Sequence, residues 1–184
     1  MTETRLKILL VILVLSSTAC AQWQPDYQHA HANAQQIMKD EFLWSPIEET
    51  SPFGNDDGAD AIIEFYEWRK SNKSKKAKDF IAYIITEWGY KTYNFNITDT
   101  IEINKFISSS QIGDRIFFGI DDIIIATGFG QLIIEGKIDE DLKSITLVAL
   151  HRQLLPFSLR RVEESYRNGR ANNLKRMIEI INAA

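Results

Sequence analysis

Apolar positions recur at helical spacing through most of the chain. Behind Asn55-Asp56-Asp57, residues Ala59, Ile62, Ile63 and Tyr66 share one side of a helix. Asp60, Glu64 and Glu67 fall on its other faces, and Arg69 and Lys70 sit near the carboxyl end, where the helix dipole favours cations. Ala77, Phe80, Ile81, Ile84, Ile85 and Trp88 form the clearest stripe, which Gly89 ends. The link between these two helices is short, so they are expected to lie antiparallel. Asp99 with Glu102 three residues on has the spacing of a capping box, ahead of Ile101, Ile103, Phe106 and Ile107. Leu142, Ile145, Ala149 and Gln153 align in another helix, which Pro156 is expected to stop. A charged helix follows over 158–168, with Leu159, Val162 and Tyr166 inward and Gly169 at its end. Asn172 or Asn173 then caps a last helix carrying Leu174, Met177, Ile178 and Ile181. Nearer the start, Tyr27, Ala30, Ala34, Ile37 and Met38 approximate an amphipathic helix over 26–42.

Two stretches depart from this period. Tyr93, Phe95 and Ile97 alternate with Thr92, Asn94 and Asn96, which predicts a short strand near 92–97. Residues 115–135 read two ways. Arg115-Ile116-Phe117-Phe118, Ile123-Ile124-Ile125 and Leu132-Ile133-Ile134 suit a small three-stranded meander, as their β-branched content favours. The same residues suit one buried helix from about Ile120 to Glu135, ended by Gly136. That helix carries two interior glycines at about 1 kcal/mol each relative to alanine. Ala126 and Gly130, four apart, would offset the cost if a neighbouring helix approached there.

The stretch Phe53-Gly54-Asn55-Asp56-Asp57-Gly58-Ala59-Asp60 organises the domain's start. Asn55, Asp56 and Asp57 are good cap residues, because their oxygens accept the orphan N–H groups of a first turn. A calcium loop would place Asn55 and Asp57 at its third and fifth positions and Glu64 at its twelfth. Its first ligand would then be Phe53, which has no oxygen to offer, so capping is the expected role and no metal or cofactor is assigned. The stretch resembles the opening of a small bacterial domain family of unknown function, Trp-Gly-x-Gly-x-Phe-x-Asn-Asp-x-Ala-x-Asp. Gly58 stands where that family usually has alanine, and Glu48-Glu49-Thr50-Ser51 replaces the upstream Trp-Gly-x-Gly. The resemblance covers residues 53–60 and implies a compact, mainly helical domain, which favours the helix at 115–135. It brings no activity with it. The expected fold is therefore mainly α, one compact domain, with α+β through a meander at 115–135 as the alternative.

The N-terminus changes the picture of where the protein works. Arg5 and Lys7 precede an eight-residue apolar run, 8–15, too short to span a bilayer, and Ser16, Ser17, Thr18 and Ala19 follow. This is the pattern of a cleaved export signal over 1–21. Cleavage follows Ala21 at Ala19-Cys20-Ala21, or Cys20 becomes the lipid-modified first residue of a lipoprotein, although Ser17 stands where a lipobox has leucine. Residues 22–45 are then an N-terminal tether or amphipathic helix, and 46–184 the helical domain. Cys20 is the one cysteine, so no disulfide forms within a chain and stability rests on the core.

At 184 residues, 45% hydrophobic and 11% aromatic, the chain is suited to folding as one domain. Its formal net charge of −4 does not favour nucleic acid. The basic run 69–78 reads as a solvated connection between helices. No nucleophile elbow, zincin, paired-cysteine or phosphate-loop motif is present. His29 and His31 are two apart and diverge on a helix. His151 on an amphipathic helix reads as structural or surface. Asp56, Asp57, Asp60, Asp121 and Asp122 are the carboxylates that hydrolysis would need, yet capping and turn formation account for them. Arg160, Arg161, Arg167 and Arg170 could clamp an anion, but interleaved Glu163 and Glu164 favour a salt-bridged surface. The expected role is an exported, periplasmic, non-catalytic protein binding a protein or cell-envelope component, with membrane contact only through lipid on Cys20. The alternatives are an inhibitor or immunity protein against a secreted toxin, or a carboxylate hydrolase. A clustered carboxylate pair in a pocket would favour the enzyme, and an exposed apolar patch the binder.

Overall fold

The structure, a computed structural model, describes residues 23–184. The export-signal and Cys20 expectations lie outside the described residues. Among those residues the fold is eight α-helices and two 3₁₀ turns, with no strand. The 3₁₀ turns are Tyr27–His29 and Glu41–Trp44. The α-helices are α1 Ala32–Ile37, α2 Asp56–Ser71, α3 Asp79–Glu87, α4 Thr100–Ile107, α5 Gly113–Glu135, α6 Glu140–Gln153, α7 Pro156–Leu159 and α8 Glu164–Ala183.

The ambiguous region is α5, the axis of the domain. It is apolar on almost every side, the pattern of a helix buried all round. By length and composition it could cross a membrane, but here α1, α2, α3, α4 and α6 sheathe it. Its interior glycines are the points of closest approach. A β-carbon on Gly130 would collide with the side chains of Ile62 and Phe65 on α2. One on Gly128 would collide with Thr146 on α6. The two neighbouring helices thus sit on α5 where it has no side chain, which offsets the glycines' helix penalty. Phe65, Phe80 and Phe129 are fully buried around this crossing, each contributing roughly 1.5–3 kcal/mol through burial. Ile84, Ile145 and Ala149 join the same core.

Three readings of the pattern are corrected. Residues 92–97 are irregular loop, not strand. Their alternation arises because Tyr93, Phe95 and Ile97 pack inward from a loop whose carbonyls have a side-chain partner, described below. Residues 26–42 are broken into a 3₁₀ turn and the short α1, with Ala34, Met38 and Leu43 buried in the main core. Trp23 stacks on Tyr66 at 4.2 Å, so this segment is part of the body. The helix α6 ends before Pro156 as expected, and Pro156 also starts α7, since a first-turn proline loses no needed N–H. Gly169 does not end a helix: α8 runs through it unbroken to Ala183.

The buried face of α2 is also rotated from the expected stripe. Gly58, Ala61, Ile62 and Phe65 are buried, while Ile63 and Tyr66 are partly exposed. The basic run after α2 is partly paired: Arg69 with Glu135, Lys70 with Glu67 at 2.7 Å and Lys76 with Asp141 at 3.0 Å. Most of these pairs are exposed and of little energetic weight.

Candidate functional site

Asn55 is the cap of α2: its backbone is extended and its Oδ1 accepts the Gly58 N–H at 2.8 Å. Asp57, two residues on, has another role. It lies inside the first turn, buried against α5, and accepts hydrogen bonds from both terminal nitrogens of Arg115, with Nη2 at 3.0 Å. Tyr90, from the loop after α3, donates its hydroxyl to the same carboxylate at 3.0 Å. Gly119 makes room for this cluster: a β-carbon there would lie 2.7 Å from Arg115 and 2.8 Å from Asp57. Glu64 takes no part, since its carboxylate accepts the Trp88 indole N–H at 3.3 Å. The oxygens of Asn55, Asp57 and Glu64 therefore face four donors that belong to different parts of the protein, Gly58, Arg115, Tyr90 and Trp88. Among the described residues no group of three or more His, Cys, Asp or Glu side chains gathers as a metal site.

Half a turn along α5, Asp121 and Arg152 form a fully buried pair, at 0% and 1% exposure. The guanidinium donates to Asp121 Oδ1 at 2.5 and 3.1 Å. Its Nη1 reaches on to the carbonyls of Phe95 at 2.6 Å and Ile97 at 3.1 Å. Tyr93 adds its hydroxyl to Asp121 at 3.1 Å. Burial pushes the Asp121 carboxyl up, and the adjacent Arg152 charge with the Arg152 and Tyr93 hydrogen bonds pulls against it. Burial likewise drives the Tyr93 phenol far up, so it stays a donor. Every strong donor and acceptor here is used within the protein, so the pair fastens α5, α6 and the 88–99 loop together.

Asp122 differs. It is half-buried, and its hydrogen bond is to a neutral amide, Gln153 Nε2, at 3.3 Å. Burial pushes its carboxyl up to about 8; Arg170 opposes this, and the charges of Asp121 and Asp57 add to it. Gln153 in turn accepts from Arg170 Nη2 at 2.7 Å, so Asp122, Gln153 and Arg170 form a relay from α5 through α6 to α8.

The relay ends at an open cleft of about 590 Å³ between the 47–50 loop and the start of α8. Arg161, Val162, Glu163, Tyr166 and Arg170 form one wall, and Ile47, Glu48 and Glu49 the other. Ile47 is 86% and Tyr166 68% exposed, although both are large and apolar in body. Arg161 Cζ lies over the Phe118 ring, 3.6 Å from its centroid. Neither Arg161 nor Arg170 pairs with Glu163 or Glu164 among the described residues, so the salt-bridged surface expected of this segment is not formed. Arg167 is turned to the Val162 carbonyl at 3.2 Å, and Arg160 is not part of the cleft wall.

Of the carboxylates singled out in the sequence, Asp57, Asp121 and Asp122 converge, while Asp56 and Asp60 are exposed on α2. Arg115, Arg152 and Tyr90 had no functional signal of their own, and Tyr93 and Gln153 stood out only as positions in the hydrophobic pattern. His31 sits against Gly136, and its backbone N–H bonds to Ile133 O at 2.8 Å. His151 is exposed, with Nδ1 2.7 Å from the Leu147 carbonyl oxygen.

The class of protein defined here is a compact helical domain with buried ion pairs behind a surface cleft. The chain is similar to the uncharacterized protein YfeS of Escherichia coli (strain K12), 31% identical over 127 residues, which is 68% of this chain and 51% of that protein. It thus spans about half the length of the curated relative it matches. No family profile and no solved structure matches the chain.

Proposed function

We propose that this is an exported, non-catalytic binding protein that holds a polypeptide partner of the cell envelope in the cleft beside α8. The observation that carries this reading is the exposure of Ile47 and Tyr166 on facing walls of one cleft, with charged residues at its rim. An aromatic anchor ringed by charge is the composition of a protein-binding hot spot. The carboxylate hydrolase has one observation in its favour, the raised Asp122 carboxyl. Hydrolysis by a carboxylate pair needs a second carboxyl free to act, and both neighbouring carboxylates are committed, Asp57 to Arg115 and Asp121 to Arg152. Asp122 is also not part of the cleft wall. The Phe53-to-Asp60 opening supports kinship with the small helical bacterial family it resembles.

The test is capture from envelope extract by the mature protein and by Tyr166→Glu, with folding of both checked by circular dichroism. A specific protein retained by the first and lost by the second supports the reading. Equal capture by both, or none by either, sinks it. Mass analysis of the native N-terminus decides export: an uncleaved cytoplasmic chain would overturn that half, and a diacylglycerol mass on Cys20 would identify a lipoprotein.

A further inference from the structure

We propose that Arg161 and Arg170 form a carboxylate-binding subsite at one end of the cleft, which anchors an acidic group of the bound polypeptide. This rests on the cleft being the binding surface and adds the chemistry it selects.

Three observations converge. First, the two guanidiniums share a cleft wall, and the Arg161 charge has no ion-pair partner among the described residues. Second, Arg161 Cζ sits 3.6 Å from the centroid of the Phe118 ring, a cation–π contact that holds the guanidinium in place, and no protein acceptor takes its N–H donors among the described residues. A planar fork presented in this way matches the two oxygens of a carboxylate. Third, Arg170 spends one N–H group on Gln153 Oε1, which orients it and leaves other donors available. Glu48, Glu49 and Glu163 on the same cleft disfavour a doubly charged phosphate more than a singly charged carboxylate. Val162 and Tyr166 line the same cleft and offer apolar surface to the body of a peptide.

Asp122 couples to this subsite through Gln153. The groups facing it are Asp121 and Arg115 on its own helix, Asp57 from α2, Gln153 from α6, and Arg161 and Arg170 from the α8 side. Neutral Asp122 leaves the two arginines less compensated, and ionised Asp122 competes with the ligand for them. Carboxylate affinity should therefore fall as pH rises through about 8, and by linkage a bound carboxylate should raise the Asp122 titration further.

The experiment is NMR titration of the arginine Nε–H signals with four probes. N-acetyl-leucine carries a terminal carboxylate, N-acetyl-glutamate α-amide a side-chain carboxylate, N-acetyl-leucine amide neither, and inorganic phosphate a competing oxyanion. One or both carboxylates should shift Arg161 and Arg170 saturably, and which one does separates a chain terminus from an acidic side chain. Arg161→Gln should weaken the response about tenfold, the loss of one charge-assisted hydrogen bond. Arg161→Lys should restore part of it, and Asp122→Asn should flatten the pH dependence. An equal response to the amide, tighter binding of phosphate, or carboxylate shifts unchanged in both Arg161→Gln and Arg170→Gln would overturn the proposal. Carboxylate binding with unaltered partner capture by Tyr166→Glu would instead leave the subsite standing and refute the placing of the polypeptide in the cleft.

Discussion

Replacing Asp121 with asparagine should be among the most destabilising single changes in the domain. It strands the Arg152 guanidinium, 1% exposed, with no countercharge within hydrogen-bond reach. Breaking a buried pair from one side costs about 3–5 kcal/mol. Because Arg152 keeps the Phe95 and Ile97 carbonyls, the lower end of that range is expected. Arg152→Met acts differently, since the stranded partner is then a carboxyl that can take up a proton. Asp121 already titrates above its ordinary value through burial, and losing Arg152 removes what opposes that rise. A group whose folded pKa is raised holds its proton more tightly when folded. Stability is therefore fully present below the unfolded value near 4 and is lost as pH rises towards the folded value. Arg152→Met should thus lose stability with rising pH, at up to about 1.4 kcal/mol per unit. Asp121→Asn combined with Arg152→Met removes both charges and should cost less than the two single changes summed, the remainder reflecting the orphaned loop carbonyls and Tyr93 hydroxyl. Urea denaturation followed by circular dichroism from pH 5 to 9 measures all three. An Asp121→Asn cost below about 1 kcal/mol, or strict additivity in the double variant, would show that the pair does not fasten the fold as described.

Other outcomes follow from particular contacts. Asp122→Asn should remove a loss of stability that the wild type shows as pH rises from about 4 to 8; discounted for partial solvent access, the gain above pH 8 is on the order of 1–2 kcal/mol, read from urea midpoints. Asn55→Ala should cost about 0.5–2 kcal/mol as the loss of a cap, whereas Asp57→Ala should cost more because Arg115 and Tyr90 lose their acceptor. Melts in millimolar calcium and in chelator should coincide, and a calcium-dependent rise abolished by Asp57→Ala would refute the assignment of these oxygens to protein donors. Ile84→Ala should cost about 2–5 kcal/mol, since Ile84 is fully buried. Gly130→Ala should destabilise through collision with Ile62 and Phe65, while Gly169→Ala, in open space on α8, should gain about 0.5–1 kcal/mol.

The contrast between those two glycines shows what the sequence can and cannot convey. Helical period and cap chemistry located α3, α4 and α6 well, because the stripe from Phe80 to Trp88 and the Asp99 cap are local signals. Asp99 accepts the Ile101 and Glu102 N–H groups as its spacing implied. Gly169 has the local signature of a helix end, but what decides its place is tertiary. Leu174, Met177, Ile180 and Ile181 bury one face of α8, and no neighbour obstructs a continuous helix at Gly169. Likewise Tyr93, Phe95 and Ile97 alternate as a strand would, yet the carbonyls that a strand would pair with another strand are partly satisfied by Arg152, 55 and 57 residues away. A guanidinium that substitutes for a neighbouring strand leaves no trace in hydrophobic periodicity.

The same argument applies to Asp57, and it explains why the candidate site was hidden. In the sequence it is one of three adjacent cap-forming residues, and capping needs only one of them. Asn55 takes that role, which leaves Asp57 facing α5 from inside the first turn. There its carboxylate meets Arg115, and Gly119 four residues on permits the approach. With Asp57 and Asp121 each held by an arginine and a tyrosine, Asp122 is the member of the cluster without an ion-pair partner among the described residues, hydrogen-bonded instead to Gln153. The cluster thus keeps one carboxyl titratable, and the Gln153–Arg170 relay carries that state to the cleft, where Arg161 also lies. A function linked to pH or to an acidic partner would therefore be read at Arg161 and Arg170, residues whose sequence context, beside Glu163 and Glu164, pointed to a salt-bridged helix surface.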